Sequence, residues 1–427
     1  MNKTVFFLLF YTLLVQAASV VGFLEDESEN TPLSGADICD GSRCIQSAAD
    51  GSFLFDTNAS KLHVVARGYR NFVFDANATE KIHFVKPIRI KALYLTFWGA
   101  NPHSKTFKRS MELLRRSDVN AIIVDVKNEY GDILYKTASK KAEEYGAFKN
   151  RQVYDIDDFV ARFKQEDAYL IARIVLFKDE LQAAANPDYA IRKNGLIWRN
   201  HDGMAWVDPF DKRSWKYAVD IAEDAAKHGF NEINFDYIRF PARSGIELEK
   251  PNTMQNRLET LDGFLAYAKK RLRPYGVFIS VDIFGNICWS KDDMNIGQNI
   301  ENFARHADYI APMLYPSSFA SGTLGYRYPS EYPYEMVYRS IANTNSRIDS
   351  KRVRPWIQAF ADYSSRKKRY RDYEIQQQLL AAKDAGTNGW MMWSPSSKYK
   401  VSYFEEHTPD TDIVTASSLL EKHNPAD

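Results

Sequence analysis

KRSWKYAVDIAEDAAKHGFNEINFDY, residues 212–237, sets an amphipathic stretch (Lys212–His228) before an apolar run (Glu232–Tyr237) that ends in an acid and an aromatic. The run is apolar on both faces, so it reads as a strand inside a sheet covered by helices. The unit recurs in both directions. Strands are predicted at Ala92–Phe97, Ala121–Val126, Tyr169–Leu176, Val277–Ile283, Tyr309–Met313, Arg354–Ala359 and Gly389–Trp393. Amphipathic stretches lie between them at Lys105–Arg116, Asp157–Gln165, Arg257–Leu272, Gln298–Arg305 and Asp372–Ala385. This alternation predicts an α/β chain whose parallel strands close into a (β/α)₈ TIM barrel over residues 91–402. A doubly wound open sheet is the alternative, but Phe97–Pro102 after the first strand carries no Gly-rich phosphate loop.

The flanks read differently. Lys3, the apolar run from Val5 to Val15, and the small residues Ala17 and Ala18 predict an export signal peptide over residues 1–18. The run is short for a membrane span, and an uncleaved anchor is the alternative. No later segment is apolar enough to span, so no span is expected in the mature chain, which is expected to be secreted or periplasmic. Residues 19–37 read as a polar linker. Residues 38–90 read as a small all-β, sandwich-like accessory unit preceding the barrel, from the turn at Asp50-Gly51 and the runs at Phe53–Phe55, Leu62–Ala66, Phe72–Phe74 and Ile82–Val85. Its "DGSFLF … HVVARGY" pattern resembles a regulatory-type accessory domain of secreted hydrolases. Residues 403–427 read as a polar tail. Of three cysteines, Cys39 and Cys44 are placed to close a small loop in an oxidising compartment, and Cys288 reads as a buried hydrophobe.

Composition narrows the function. Across 427 residues, 56 Lys+Arg against 55 Asp+Glu give a net charge of +1, so no basic field for nucleic acid or an anionic membrane is present. The 14% aromatic content suits both a core and a groove for flat-faced ligands such as sugars.

In a barrel of this kind the reacting groups stand at the C-terminal ends of several strands. Those ends carry Asp125, Asp236 and Asp282 inside apolar runs, where an acid is costly unless paired or functional. Glu129 follows on the loop after the second strand. Arg173 and Arg239 offer a purely structural pairing for one such acid, less readily for all three. The eight histidines are scattered, no Cys pair lies in the barrel, and no G-x-S-x-G elbow is present. Zinc and serine-nucleophile chemistry therefore lack their signals. Paired carboxylates remain, and these are what cleavage of a glycosidic bond requires. Asp236 is assigned as nucleophile or base, with Arg239, Lys127 or Arg173 to hold it ionised. Asp282, among Val281, Ile283 and Phe284, is assigned as the acid. Asp125 is a support or the acid of a wider pair, and Glu129 is held in reserve. Trp98, Tyr315 and Trp393 are expected to stack on sugar rings, with Lys127, Arg173, Arg239 and Gln358 completing the substrate-binding set.

The segments "AIIVDVKNEYG" (121–131), "AWVDPFD" (205–211), "NFDYIRFP" (234–241), "APMLYP" (311–316) and "GWMMWSP" (389–395), in this order, resemble a glycoside hydrolase family of bacterial exported TIM-barrel proteins first defined as a domain of unknown function. The resemblance covers about Lys91 to Tyr399 and implies the fold and the reaction class. The expectation is an exported glycoside hydrolase acting on a polysaccharide or cell-envelope glycan, as a monomer, without metal or organic cofactor. The alternatives are a barrel that binds glycans without cleaving them and an envelope scaffold.

Overall fold

The computed structural model describes residues 18–364 and 366–405. The expected export signal lies outside them except for Ala18, as does the expected tail beyond Glu405. Eight parallel strands close into a barrel. In chain order they are strand one (Ile90–Leu95), two (Ala121–Lys127), three (Tyr169–Val175), four (Glu232–Asp236), five (Phe278–Phe284), six (Tyr309–Leu314), seven (Trp356–Gln358) and eight (Gly389–Trp393). Strand eight pairs with strand one and strand two with strand three, so no edge is left open.

Strands two, three and four are buried at every position, which is why their sequences lack alternation. Alternate residues still point opposite ways. One set, including Ile90, Ala92, Ile123, Ile171, Phe278 and Ala311, fills the barrel; the other packs under the helices. Helix starts follow local chemistry: Ser104 caps the helix Lys105–Arg116 by accepting from the Phe107 N–H, and Asp211 caps Lys212–Lys227 from the Arg213 N–H. The helix Pro333–Asn345 has no counterpart in the sequence reading. Proline suits a first helical turn, yet Tyr-Pro-Tyr reads equally as a turn.

The residues before the barrel form a small all-β unit of two facing sheets, and it begins earlier than expected, within the stretch read as a linker. Ala18–Asp26 is the central strand of a three-stranded sheet, antiparallel to Ser52–Thr57 and parallel to Ile82–Val85. A four-stranded sheet faces it, built from Asp37–Cys39, Cys44–Gln46, Lys61–Val65 and Phe72–Asp75. Leu24, Ile38, Phe53, Phe55, Leu62 and Val64 fill the space between them. The expected linker over 19–37 is thus corrected. The apolar alternation of Val20, Gly22 and Leu24 runs on from the apolar leader, and the exposed polar residues Glu27–Glu29 form the turn that follows the strand. Cys39 and Cys44 form a disulfide, while Cys288 is buried and its thiol is pushed up to about 11 by burial.

This β unit seats on the N-terminal end of the barrel. Asn71 donates to the carbonyls of Asn231 (3.0 Å) and Gly276 (2.7 Å), the Gly68 N–H donates to the Tyr309 hydroxyl (3.0 Å), and Arg273 pairs with Asp37 at 2.7 Å. Beneath it the barrel floor holds a buried ion pair: Arg354 Nη1 lies 2.8 Å from Glu232, which also accepts from the Tyr169 hydroxyl (2.9 Å). Gly276 has φ +67°, and a Cβ there would stand 2.4 Å from the His63 Cβ. Gly276→Ala is therefore expected to cost about 2–5 kcal/mol, from left-handed strain plus a forced gap at the seam. Urea denaturation checks this; an unchanged midpoint would count against both the strain and the tight seam at Gly276.

Candidate active site

At the opposite, C-terminal end of the strands lies a cavity of about 430 Å³. Arg173, inward on strand three, is its electrostatic centre. Its Nη1 donates to Asp125, its Nη2 and Nε (3.1 Å) donate to Asp236, and its Nε lies 4.0 Å from Asp282. Register explains the meeting. Arg173 is the direct partner of Asp125 on one side and Asn234 on the other, and Asn234 precedes Asp236 by one inward step.

Each acid has its own surroundings. Asp125 accepts from the Tyr94 hydroxyl, and its pKa is raised by burial against the pull of Arg173. Asp236 accepts, besides Arg173, from the Tyr237 backbone N–H. Tyr237 sits at φ +50°, a conformation rare for an aromatic residue, and it turns the chain directly after Asp236. Asp282 accepts at one oxygen from Asn234 Nδ2 (2.8 Å) and Trp356 Nε1 (2.8 Å). Burial, and then the neighbouring charge of Asp236, raise its pKa well above the carboxylate range. Three aspartates share one guanidinium; burial pushes the pKa of Asp125 up, and that of Asp282 well up.

Aromatic rings form the walls. Tyr94 stacks on Trp393 at 4.0 Å, and Trp356 meets Trp393 edge-on at 5.8 Å. Tyr315 lines the cavity from the strand-six side, packed against the barrel interior, and Trp98, with 59% of its surface exposed, stands at the rim. Glu129 also lines the cavity, on a loop held by Asn128, whose Oδ1 accepts from the N–H groups of Tyr130 and Asp132 at 3.0 Å each.

Of the residues singled out from the sequence, the structure brings Asp125, Glu129, Arg173, Asp236, Arg239, Asp282, Trp98, Tyr315 and Trp393 to this one cavity. Two do not reach it. Lys127 lies past a bulge: Arg173 faces Asp125, but Ile174 already faces Lys127, so Val126 is the extra residue. The bulge turns Lys127 away, and its ammonium lies 2.7 Å from buried Asp179 and donates to the Val175 carbonyl (2.6 Å). Gln358 is buried behind the wall, where it accepts from the Ser317 hydroxyl (2.9 Å) and donates to the Phe360 carbonyl (3.1 Å). It fixes the loops after strands six and seven instead of meeting a substrate. Tyr94, Asn234 and Trp356 belong to the site and were not singled out. Asn234 and Trp356 carried a signal, since both share the inward face of a strand with a residue that was. The "AWVDPFD" segment is structural at Asp208, which accepts from the N–H groups of Phe210 (2.9 Å) and Glu249 (2.6 Å) and has its pKa raised to about 6 by burial.

A closed (β/α)₈ barrel with a sugar-sized, aromatic-walled cleft around clustered carboxylates has the architecture of a glycoside hydrolase barrel. The chain belongs to the DUF4015 family, described as "putative glycosyl hydrolase domain", whose profile matches residues 92–399. Among solved structures it is similar to the glycoside hydrolase domain of PgaB (BpsB) from Bordetella bronchiseptica, at 13% identity over 73% of this chain and 95% of that one, with TM-score 0.54. That likeness shows the fold. A hypothetical protein from Ruminiclostridium thermocellum is 34% identical over 44% of this chain and 96% of its own, with TM-score 0.40. Alpha-L-fucosidase isoenzyme 2 from Paenibacillus thiaminolyticus matches at 12% identity over 74% of this chain and 48% of its own, with TM-score 0.50. No curated protein sequence matches.

Proposed function

We propose that the protein hydrolyses glycosidic bonds of a polysaccharide or cell-envelope glycan outside the cytoplasm, with Asp236 as nucleophile or base and Asp282 as general acid. The observation that carries this reading is the pairing of Asp236, held by Arg173, with Asp282, whose pKa is pushed up by burial and by its neighbour Asp236. Breaking a glycosidic bond needs both at once: a proton for the leaving oxygen and a negative group for the sugar carbon or its attacking water. Trp98, Tyr315 and Trp393 supply flat apolar faces for the C–H patches of sugar rings. Export is supported by the apolar run Val5–Val15 and by the Cys39–Cys44 disulfide, which suits an oxidising compartment.

The purified protein, incubated with envelope and plant polysaccharides, is expected to release fragments with new reducing ends, read by mass spectrometry. Tight binding without any fragment would replace hydrolysis by glycan binding alone. Export is tested by fractionation and N-terminal sequencing; full-length protein in the cytosol beginning at Met1 would remove it.

A further inference from the structure

We infer that Arg239 forms an anion subsite beside the reacting acids, and that the glycan bound there carries a sugar carboxylate. The glycan part of this inference rests on the hydrolase reading above; the anion part rests on the arginine itself. The buried arginines Arg173, Arg257 and Arg354 each pair with a carboxylate. Arg239 is half-buried in the cavity wall, and among the described residues no carboxylate lies within 4.0 Å of it. Its guanidinium is held over three rings, Trp206 at 4.8 Å, Tyr237 at 5.2 Å and Phe284 at 4.8 Å. Its Nη1 donates to the Phe240 carbonyl at 3.2 Å, while Nε and Nη2 donate to nothing among the described residues. Neither is sealed from solvent. The open Nε–Nη2 edge is the same edge with which Arg173 grips Asp236.

A partly desolvated cation without an anion is costly, and burial does pull this guanidinium's pKa down. The ring faces offset part of that cost and fix the fork in one orientation, so an arriving carboxylate meets donors already in place. A planar fork fits a planar carboxylate through two parallel hydrogen bonds. The local backbone places the fork usefully. Tyr237 at φ +50° reverses the chain, the Arg239 N–H closes the turn on the Tyr237 carbonyl (2.9 Å), and Asp236 and Arg239 line the same cavity. Arg239 is not needed to hold Asp236, which Arg173 already grips.

The test compares oligomers of galacturonate, glucuronate and mannuronate with the same oligomers reduced at the carboxyl to the neutral alcohol. Binding is measured by calorimetry in the Asp236→Asn background, so that no substrate is consumed. At least one acidic oligomer is expected to bind about 10- to 100-fold more tightly than its reduced partner. Adding Arg239→Gln should bring that ratio close to one, and Arg239→Lys, which keeps the charge but loses the fork, should retain part of it. Thermal midpoints confirm that the variants fold. No preference in any pair, or a preference that survives Arg239→Gln, overturns the subsite. A sulfated oligosaccharide preferred over every uronate overturns the carboxylate assignment. Cleavage of a neutral glycan at a rate indifferent to Arg239→Gln removes this inference and leaves the hydrolase; acid preference without cleavage does the reverse.

Discussion

Asp236→Asn and Asp282→Asn are each expected to lower glycan turnover by about 10²- to 10⁴-fold, the usual cost of losing a catalytic acid or base. The two variants should differ in stability. Asp282 has a raised pKa in the folded state, so the folded chain holds a proton that an unfolded aspartate releases near pH 4. Wherever the native state binds more protons than the unfolded one, stability falls as pH rises. Wild-type stability should therefore decline through the window above the unfolded value. Asp282→Asn removes that decline while keeping an oxygen that can accept from Asn234 and Trp356. It should melt higher than wild type at pH 7, the gap closing toward pH 4, while being almost inactive. Asp236→Asn has no such gain in view, since it takes a partner from Arg173. In wild type, activity should hold at pH values where ordinary aspartates are fully ionised and fall on the alkaline side as Asp282 loses its proton. A folded variant of either kind that keeps more than about a tenth of the wild-type rate would remove the assignment.

The barrel was legible because burial on both faces writes itself into composition: Ala121–Val126 and Tyr169–Leu176 have no wet side to encode. The acids were legible for the converse reason, since a charge inside such a run needs an explanation. What could not be read was geometry that composition does not record. The bulge at Val126 reverses the side on which Lys127 emerges, and no residue there announces it. The positive φ falls on a tyrosine, not a glycine, so the turn that brings Asp236 and Arg239 to one cavity left no mark. The strand Ala18–Asp26 was hidden by position, its alternation merging with the apolar leader before it. Gln358 stands on an inward strand end, yet its amide is taken up by Ser317 and Phe360, a pairing that depends on two loops meeting.

Arg173→Met is expected to destabilise the fold by about 3–5 kcal/mol at neutral pH, because it leaves buried acids without their cation. Asp125, Asp236 and Asp282 all lie within 4.0 Å of this one guanidinium, and each is less than a tenth exposed. Without it mutual repulsion and desolvation favour the protonated forms, so the folded pKa values of Asp125 and Asp282 rise further while the unfolded values stay near 4. The sign follows directly: the variant's native state binds still more protons than its unfolded state, and its stability falls more steeply with rising pH than that of wild type. The deficit should be small at pH 4 and full at pH 7, as read by urea denaturation at both. An equal deficit at the two values would mean that lost packing against Tyr94 and Trp393, not lost charge, is responsible. Arg173→Lys separates charge from shape: one ammonium replaces the cation but cannot bridge Asp125 and Asp236 with separate planar donors. It should recover much of the stability and little of the turnover. In that event the arginine's fork, which orients Asp236 while restraining Asp125, is what the reaction requires, and its charge is what the fold requires.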